Sequence, residues 1–132
     1  MRRAAILKAS KVLIVQDDDV AAETYERALR FDGFDVVTAH DAEAGLDALE
    51  VHQPDVVLID LQLSLADGIT LVRRVRTRDC QRHIPVAIIT ADYRVPWTVE
   101  NDLNELEAHL FYKPLWIEHL ITIARELARR ST

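Results

Sequence analysis

Five short apolar runs, each closed by a polar residue, alternate along the chain with stretches of helical periodicity. Val12–Val15 ends in Gln16-Asp17-Asp18-Asp19, Val56–Ile59 stops at Asp60, and Val86–Ile89 stops at Thr90. Val36-Val37-Thr38 is briefer, and Leu110-Phe111-Tyr112 stops at Lys113-Pro114. Continuous runs rich in β-branched residues fit strands buried on both faces, as in a parallel sheet covered by helices. From Val20 to Arg30, apolar Val20, Ala21, Tyr25, Ala28 and Leu29 (Thr24 weakly) oppose Glu23, Glu26, Arg27 and Arg30. That is the spacing of an amphipathic helix, with Asp18 and Asp19 read as capping acids and Asp32-Gly33 as its stop.

Asp41 caps a second predicted helix through about Glu50, with Ala44, Leu46, Ala48 and Leu49 on its buried side. Loop chemistry is expected after Asp60 as far as Asp67-Gly68. Ile69, Leu71, Val72 and Val75 then mark a third helix, with Arg73, Arg74, Arg76 and Arg78 on its solvated face. Pro96 suits the first turn of a fourth helix carrying Trp97, Val99, Leu103 and Leu106, and a last helix is expected from about Leu115 to Arg129.

Strand and helix thus alternate five times. The pattern calls for an α/β fold, a doubly wound (βα)5 five-stranded parallel sheet with right-handed crossovers and helices on both faces. All strand carboxyl ends then share one edge, where open α/β sheets bind ligands, and that edge gathers Asp17, Asp60, Thr90 and Lys113. One such acid alone reads as a solvated strand end; four polar groups on four strand ends do not. Carboxylates converging on one pocket need positive charge between them, which a hard cation such as Mg2+ supplies. Asp60 would then attack a phosphoryl group whose charge Mg2+ and Lys113 neutralise, with the Thr90 hydroxyl donating to a phosphate oxygen.

Length and composition add bounds. The 132 residues suit one domain, expected over 11–130 behind a loose leader at 1–10. With 49% apolar and 29% charged residues the composition is that of a globular domain, and no apolar run approaches a membrane span. A net charge of −6 argues against general affinity for nucleic acid or anionic membrane. The basic start is too short for a signal peptide, and the single cysteine, Cys80, allows no internal disulfide; a cytoplasmic location is expected.

The acidic turn Gln16-Asp17-Asp18, Asp60 with Asp67-Gly68 behind it, Thr90-Ala91, Lys113-Pro114 and the spacing of Gly33-Phe34 resemble the receiver domains of two-component response regulators, over residues 11–129. The resemblance implies the flavodoxin-like strand order 2-1-3-4-5. It implies Asp60 as phosphoacceptor, Asp17, Asp60 and the Gln62 backbone carbonyl as Mg2+ ligands, Thr90 as switch hydroxyl and Lys113 as partner of the acceptor or its phosphate. Such a domain catalyses its own phosphotransfer and dephosphorylation and is no enzyme on a separate substrate. Its donor would be a sensor histidine kinase or phosphotransfer protein. A downstream protein target would read a surface of the fourth helix, fifth strand and fifth helix, which is also the surface for a homodimer. Neither nucleic acid nor membrane is expected as a partner of this domain.

Several positions depart from that pattern. Gln16 stands where the family has an acid, so it offers Mg2+ at most a contact through water. Ser64 replaces a loop proline, Leu110 the aromatic switch residue, and Leu106-Glu107 a Gly-Ala pair. Tyr112, two residues beyond Leu110 and on the same side of a strand, is the candidate substitute. Trp97 and Trp116 are candidate contact anchors, with packing expected to claim at least one. His40, His52, His83, His109 and His119 show no metal-ligand spacing. Two other readings are a receiver-like interaction module that works without phosphorylation and a small flavodoxin-like enzyme or nucleotide binder. The second lacks a Gly-rich phosphate loop, since Gly33, Gly45 and Gly68 are far apart.

Overall fold

The computed structural model describes residues 9–60, 65–78 and 83–130. The elements alternate as expected: β1 (Lys11–Gln16), α1 (Asp19–Phe31), β2 (Asp35–Ala39), α2 (Ala42–His52), β3 (Val56–Asp60), α3 (Leu65–Arg76), β4 (Val86–Thr90), α4 (Trp97–Glu105), β5 (Ala108–Tyr112) and α5 (Ile117–Arg130). All four strand pairings are parallel, in the order β2-β1-β3-β4-β5. The register sets Gln16 beside Asp60 and Thr90 beside Tyr112.

Every residue of β3 and β4 is buried, as runs covered on both sides must be. Alternation along the strands splits the core in two. Leu13, Val15, Val57, Ile59, Val86 and Ile88 pack with α2, α3 and α4 through residues such as Leu46, Leu71 and Leu103. Val12, Ile14, Val56, Leu58, Ala87 and Ile89 pack with α1 and α5 through Leu29, Leu120 and Ile123, and Tyr25 lies against this second cluster. Gln16 and Asp60 continue the alternation of that second set, whereas Thr90 continues the first.

Local signals end the helices where the sequence placed them. Asp18 and Asp41 accept from the backbone N–H of Val20 and Ala44, and Gly33 follows α1 at a φ of 103°, open to glycine at no steric cost. Three expectations need correction. Asp67-Gly68 lies inside the first turn of α3, not in a loop. Pro96 is the N-cap of α4, and the helix starts at Trp97. Arg76 is not solvated: it is half-buried and donates to the carbonyls of Ile84, Leu106 and Glu107. Its neighbours Arg73, Arg74 and Arg78 pair with Asp102, Glu43 and Glu50 of other elements. No helix among the described residues is long and apolar enough to cross a membrane. The expectations on the leader, Gln62, Ser64 and Cys80 fall wholly or largely outside the described residues.

Candidate functional site

Asp60, at the last position of the central strand, is 1% exposed. A carboxylate removed from water needs charge and hydrogen-bond partners, and two side chains supply them. Lys113, just past β5, places its Nζ 2.7 Å from Oδ1. Tyr25, from α1, donates its hydroxyl to Oδ2 at 2.7 Å. The lysine contact is an ion pair outside hydrogen-bond geometry, and among the described residues Oδ1 accepts no hydrogen bond. Burial, followed by the hydrogen bond to Asp60, pushes the Tyr25 phenol well above its ordinary range, which keeps it a donor.

The sequence read Tyr25 only as one apolar position of a helix stripe. Two signals could have found its second role. A tyrosine facing a core needs an acceptor for its hydroxyl. Helix side chains also lean toward their own N-terminus, and α1 begins beside the carboxyl edge of β1.

Gln16 is also 1% exposed and is the register partner of Asp60. Its Oε1 accepts from the backbone N–H of Asp18 at 3.0 Å, leaving Nε2 buried without a partner among the described residues. Turning the amide over would set NH2 against that N–H. The group Gln16 presents is therefore a donor, suited to an anionic oxygen rather than to a cation.

Asp17 follows β1 and lines a cavity of about 230 Å³ with His40, Asp41, Asp67, Thr70 and Arg74. Among the described residues no group of three or more His, Cys, Asp or Glu is placed to hold a metal. The donor chemistry nevertheless fits a hard cation in part, since Asp17 and Asp60 are both carboxylates at this edge.

Thr90 is buried, and its Oγ1 accepts from the backbone N–H of Asp92 at 3.0 Å. Its carbonyl accepts from the Lys113 backbone N–H at 2.8 Å, so the lysine is tied to both Thr90 and Asp60. The structure thus joins Lys113 to Asp60 by its side chain and to Thr90 by its backbone, adds Tyr25, and sets Asp17 toward α2 and α3. Beyond Thr90 the Tyr93 and Tyr112 rings stack, with centroids 5.7 Å apart and planes 18° from parallel. Trp97 and Trp116 are 75% and 68% exposed, so packing claims neither.

The chain matches a known family. The family model of the response regulator receiver domain matches residues 12–125. The transcriptional regulatory protein TrcR of Mycobacterium tuberculosis is 31% identical over 92% of this chain and 46% of its own length. The response regulator MprA of Mycolicibacterium vanbaalenii is 30% identical over 92% of this chain and 52% of its own. Among solved structures, a putative response regulator from Chloroflexus aurantiacus superposes with a TM-score of 0.79 at 30% identity, over 93% of this chain and 100% of its own. A CheY-like receiver domain from Methanospirillum hungatei gives 0.81 at 20% identity, over 94% and 97%, a likeness of fold alone. The chain belongs to the receiver domains of two-component response regulators, whose standard function is phosphorylation-based signalling. It spans about half the length of the curated relatives it matches.

Proposed function

We propose that Asp60 accepts a phosphoryl group from a phosphohistidine of a sensor kinase or phosphotransfer protein and so biases a surface read by a downstream protein. The observation that carries this reading is the buried Asp60 carboxylate at the end of the central strand, with Lys113 2.7 Å from one oxygen. In the transfer an Asp60 oxygen forms a bond to phosphorus, the P–N bond of the phosphohistidine breaks, and its electron pair returns to the imidazole. Lys113 offsets charge on the phosphoryl oxygens, and the buried Gln16 NH2 is a donor of the kind an anionic oxygen accepts from. The Thr90 hydroxyl, which accepts from the Asp92 N–H, keeps its own hydrogen to donate to a phosphoryl oxygen. Asp17 and Asp60 would hold Mg2+, with the Gln62 carbonyl as third ligand; the ion would supply positive charge to the transferring group. Trp97, Trp116 and Tyr112 form the contact face, on or beside α4, β5 and α5.

Incubation with a small acyl phosphate donor and Mg2+, followed by intact mass, tests this. Wild type should gain one phosphoryl group that hydroxylamine removes, and Asp60→Ala should gain none. No adduct on the wild type, with a histidine kinase supplied as well, would favour a module working without phosphorylation. That second reading draws on Gln16 and Leu110, which replace a family acid and the aromatic switch.

A further inference from the structure

We propose that Tyr25 is a positioning residue that fixes Oδ1 of Asp60 as the reactive oxygen and shortens the life of the acyl phosphate; this rests on Asp60 being the acceptor. The two oxygens of the carboxylate are not equivalent. Oδ2 accepts from the Tyr25 hydroxyl at 2.7 Å, whereas Oδ1 accepts no hydrogen bond from the described residues and lies 2.7 Å from Lys113 Nζ. The free lone pairs, and the cation that would meet the incoming phosphoryl charge, are both at Oδ1. Phosphorylation there makes Oδ2 the carbonyl oxygen of a mixed anhydride.

That change sets the energetic sign. A phenol donates more strongly to an ionised carboxylate than to a neutral carbonyl. The Tyr25 bond therefore favours the free carboxylate over its phosphorylated form. In hydrolysis, water attacks phosphorus, the bond from Oδ1 to phosphorus breaks, and the electron pair returns to the carboxylate. Phosphoryl transfer passes through a loose transition state in which that bond is already largely broken. Charge has then reached Oδ2 and the Tyr25 bond has recovered most of its strength, so the hydroxyl speeds decay. Formation passes a transition state with little new bonding to Asp60, so it feels the hydroxyl less. Ring packing against the α1–α5 core accounts for an aromatic at position 25; it does not account for a hydroxyl seated on the acceptor.

The test compares wild type, Tyr25→Phe and Tyr25→Leu, each phosphorylated with a small acyl phosphate donor and Mg2+. The donor is then removed and the adduct followed by intact mass. Tyr25→Phe should lengthen the half-life about fivefold, the step from an ionised to a neutral acceptor, and raise the formation rate by a smaller factor. Tyr25→Leu should match Tyr25→Phe in half-life and differ from it only in melting temperature, because both lack the hydroxyl. This split between decay and formation separates a hydroxyl effect from a loosened fold. A Tyr25→Phe adduct that decays as fast as wild type, or faster, overturns the proposal and leaves Asp60 as acceptor. Absence of adduct on all three proteins overturns both.

Discussion

Two halves of one sheet edge differ in how they treat water. At the ends of β1 and β3, Gln16 and Asp60 are each 1% exposed, and both Asp60 oxygens face a side chain, Lys113 or Tyr25. Beyond the ends of β4 and β5, Trp97 is 75% and Trp116 68% exposed, and Tyr93 lies stacked on Tyr112. The first half is dry and held by charge, which strengthens each electrostatic contact and holds the Asp60 carboxylate in place. The second leaves large aromatic surface in solvent, a composition suited to contacts with another protein. Lys113 joins them, through Nζ to Asp60 and through its backbone to Thr90. Asp60 and the open half are thus linked through one residue.

The largest effect should come from breaking the dry half. Lys113→Ala leaves the Asp60 carboxylate buried with Tyr25 alone, and is expected to cost about 2–3 kcal/mol in urea denaturation. Asp60→Ala should cost less, because the Lys113 side chain, already 27% exposed, can turn to water. The reverse order would show that the pair is not what holds the acceptor.

Next in size is the anchor of the open half. Arg76 ties the end of α3 to the carbonyls of Leu106 and Glu107, where the chain enters β5. Arg76→Ala should cost about 2 kcal/mol, since it strips donors from partly buried carbonyls. Arg73→Ala, Arg74→Ala and Arg78→Ala break exposed pairs and should each cost about 0.5 kcal/mol or less. Equal costs across the four arginines would contradict the special place of Arg76.

Stability should barely register the exposed aromatics. Trp97→Ala and Trp116→Ala together are expected to shift unfolding by no more than about 0.5 kcal/mol, while weakening a partner by about tenfold or more. A large stability loss with binding intact would mean that these rings pack instead of docking.

The smallest effect is one of pH. His109 in β5 has its pKa lowered from 6.5, first by burial and then by the nearby Arg130 and Arg76 charges. The unfolded chain therefore takes up this proton first as pH falls. Stability from this group is complete above pH 6.5 and declines as pH drops from there toward the folded value, below which no more is lost. Melting temperatures between pH 5 and 8 should show a shallower slope for His109→Gln; an unchanged slope would place the pH dependence elsewhere.

The sequence by itself determined the order of elements and the placement of Asp60, Thr90 and Lys113 at strand ends along one sheet edge. Those features are written in short-range patterns: apolar runs, capping acids and the polar residue that stops each strand. Only the tertiary structure decided that Asp60 shares its charge with Tyr25 as well as Lys113, because that contact joins positions 35 residues apart on elements whose packing no local pattern encodes. Likewise Arg76 looks like one of four solvated arginines until the loop before β5 folds against it. The sequence named Trp97 and Trp116 as anchors, but their exposure depended on which neighbours the fold gave them. Strand alternation could have told which core Asp60 faces once the covering helices were known, yet assigning α1 and α5 to one side and α2, α3 and α4 to the other is a long-range outcome of packing.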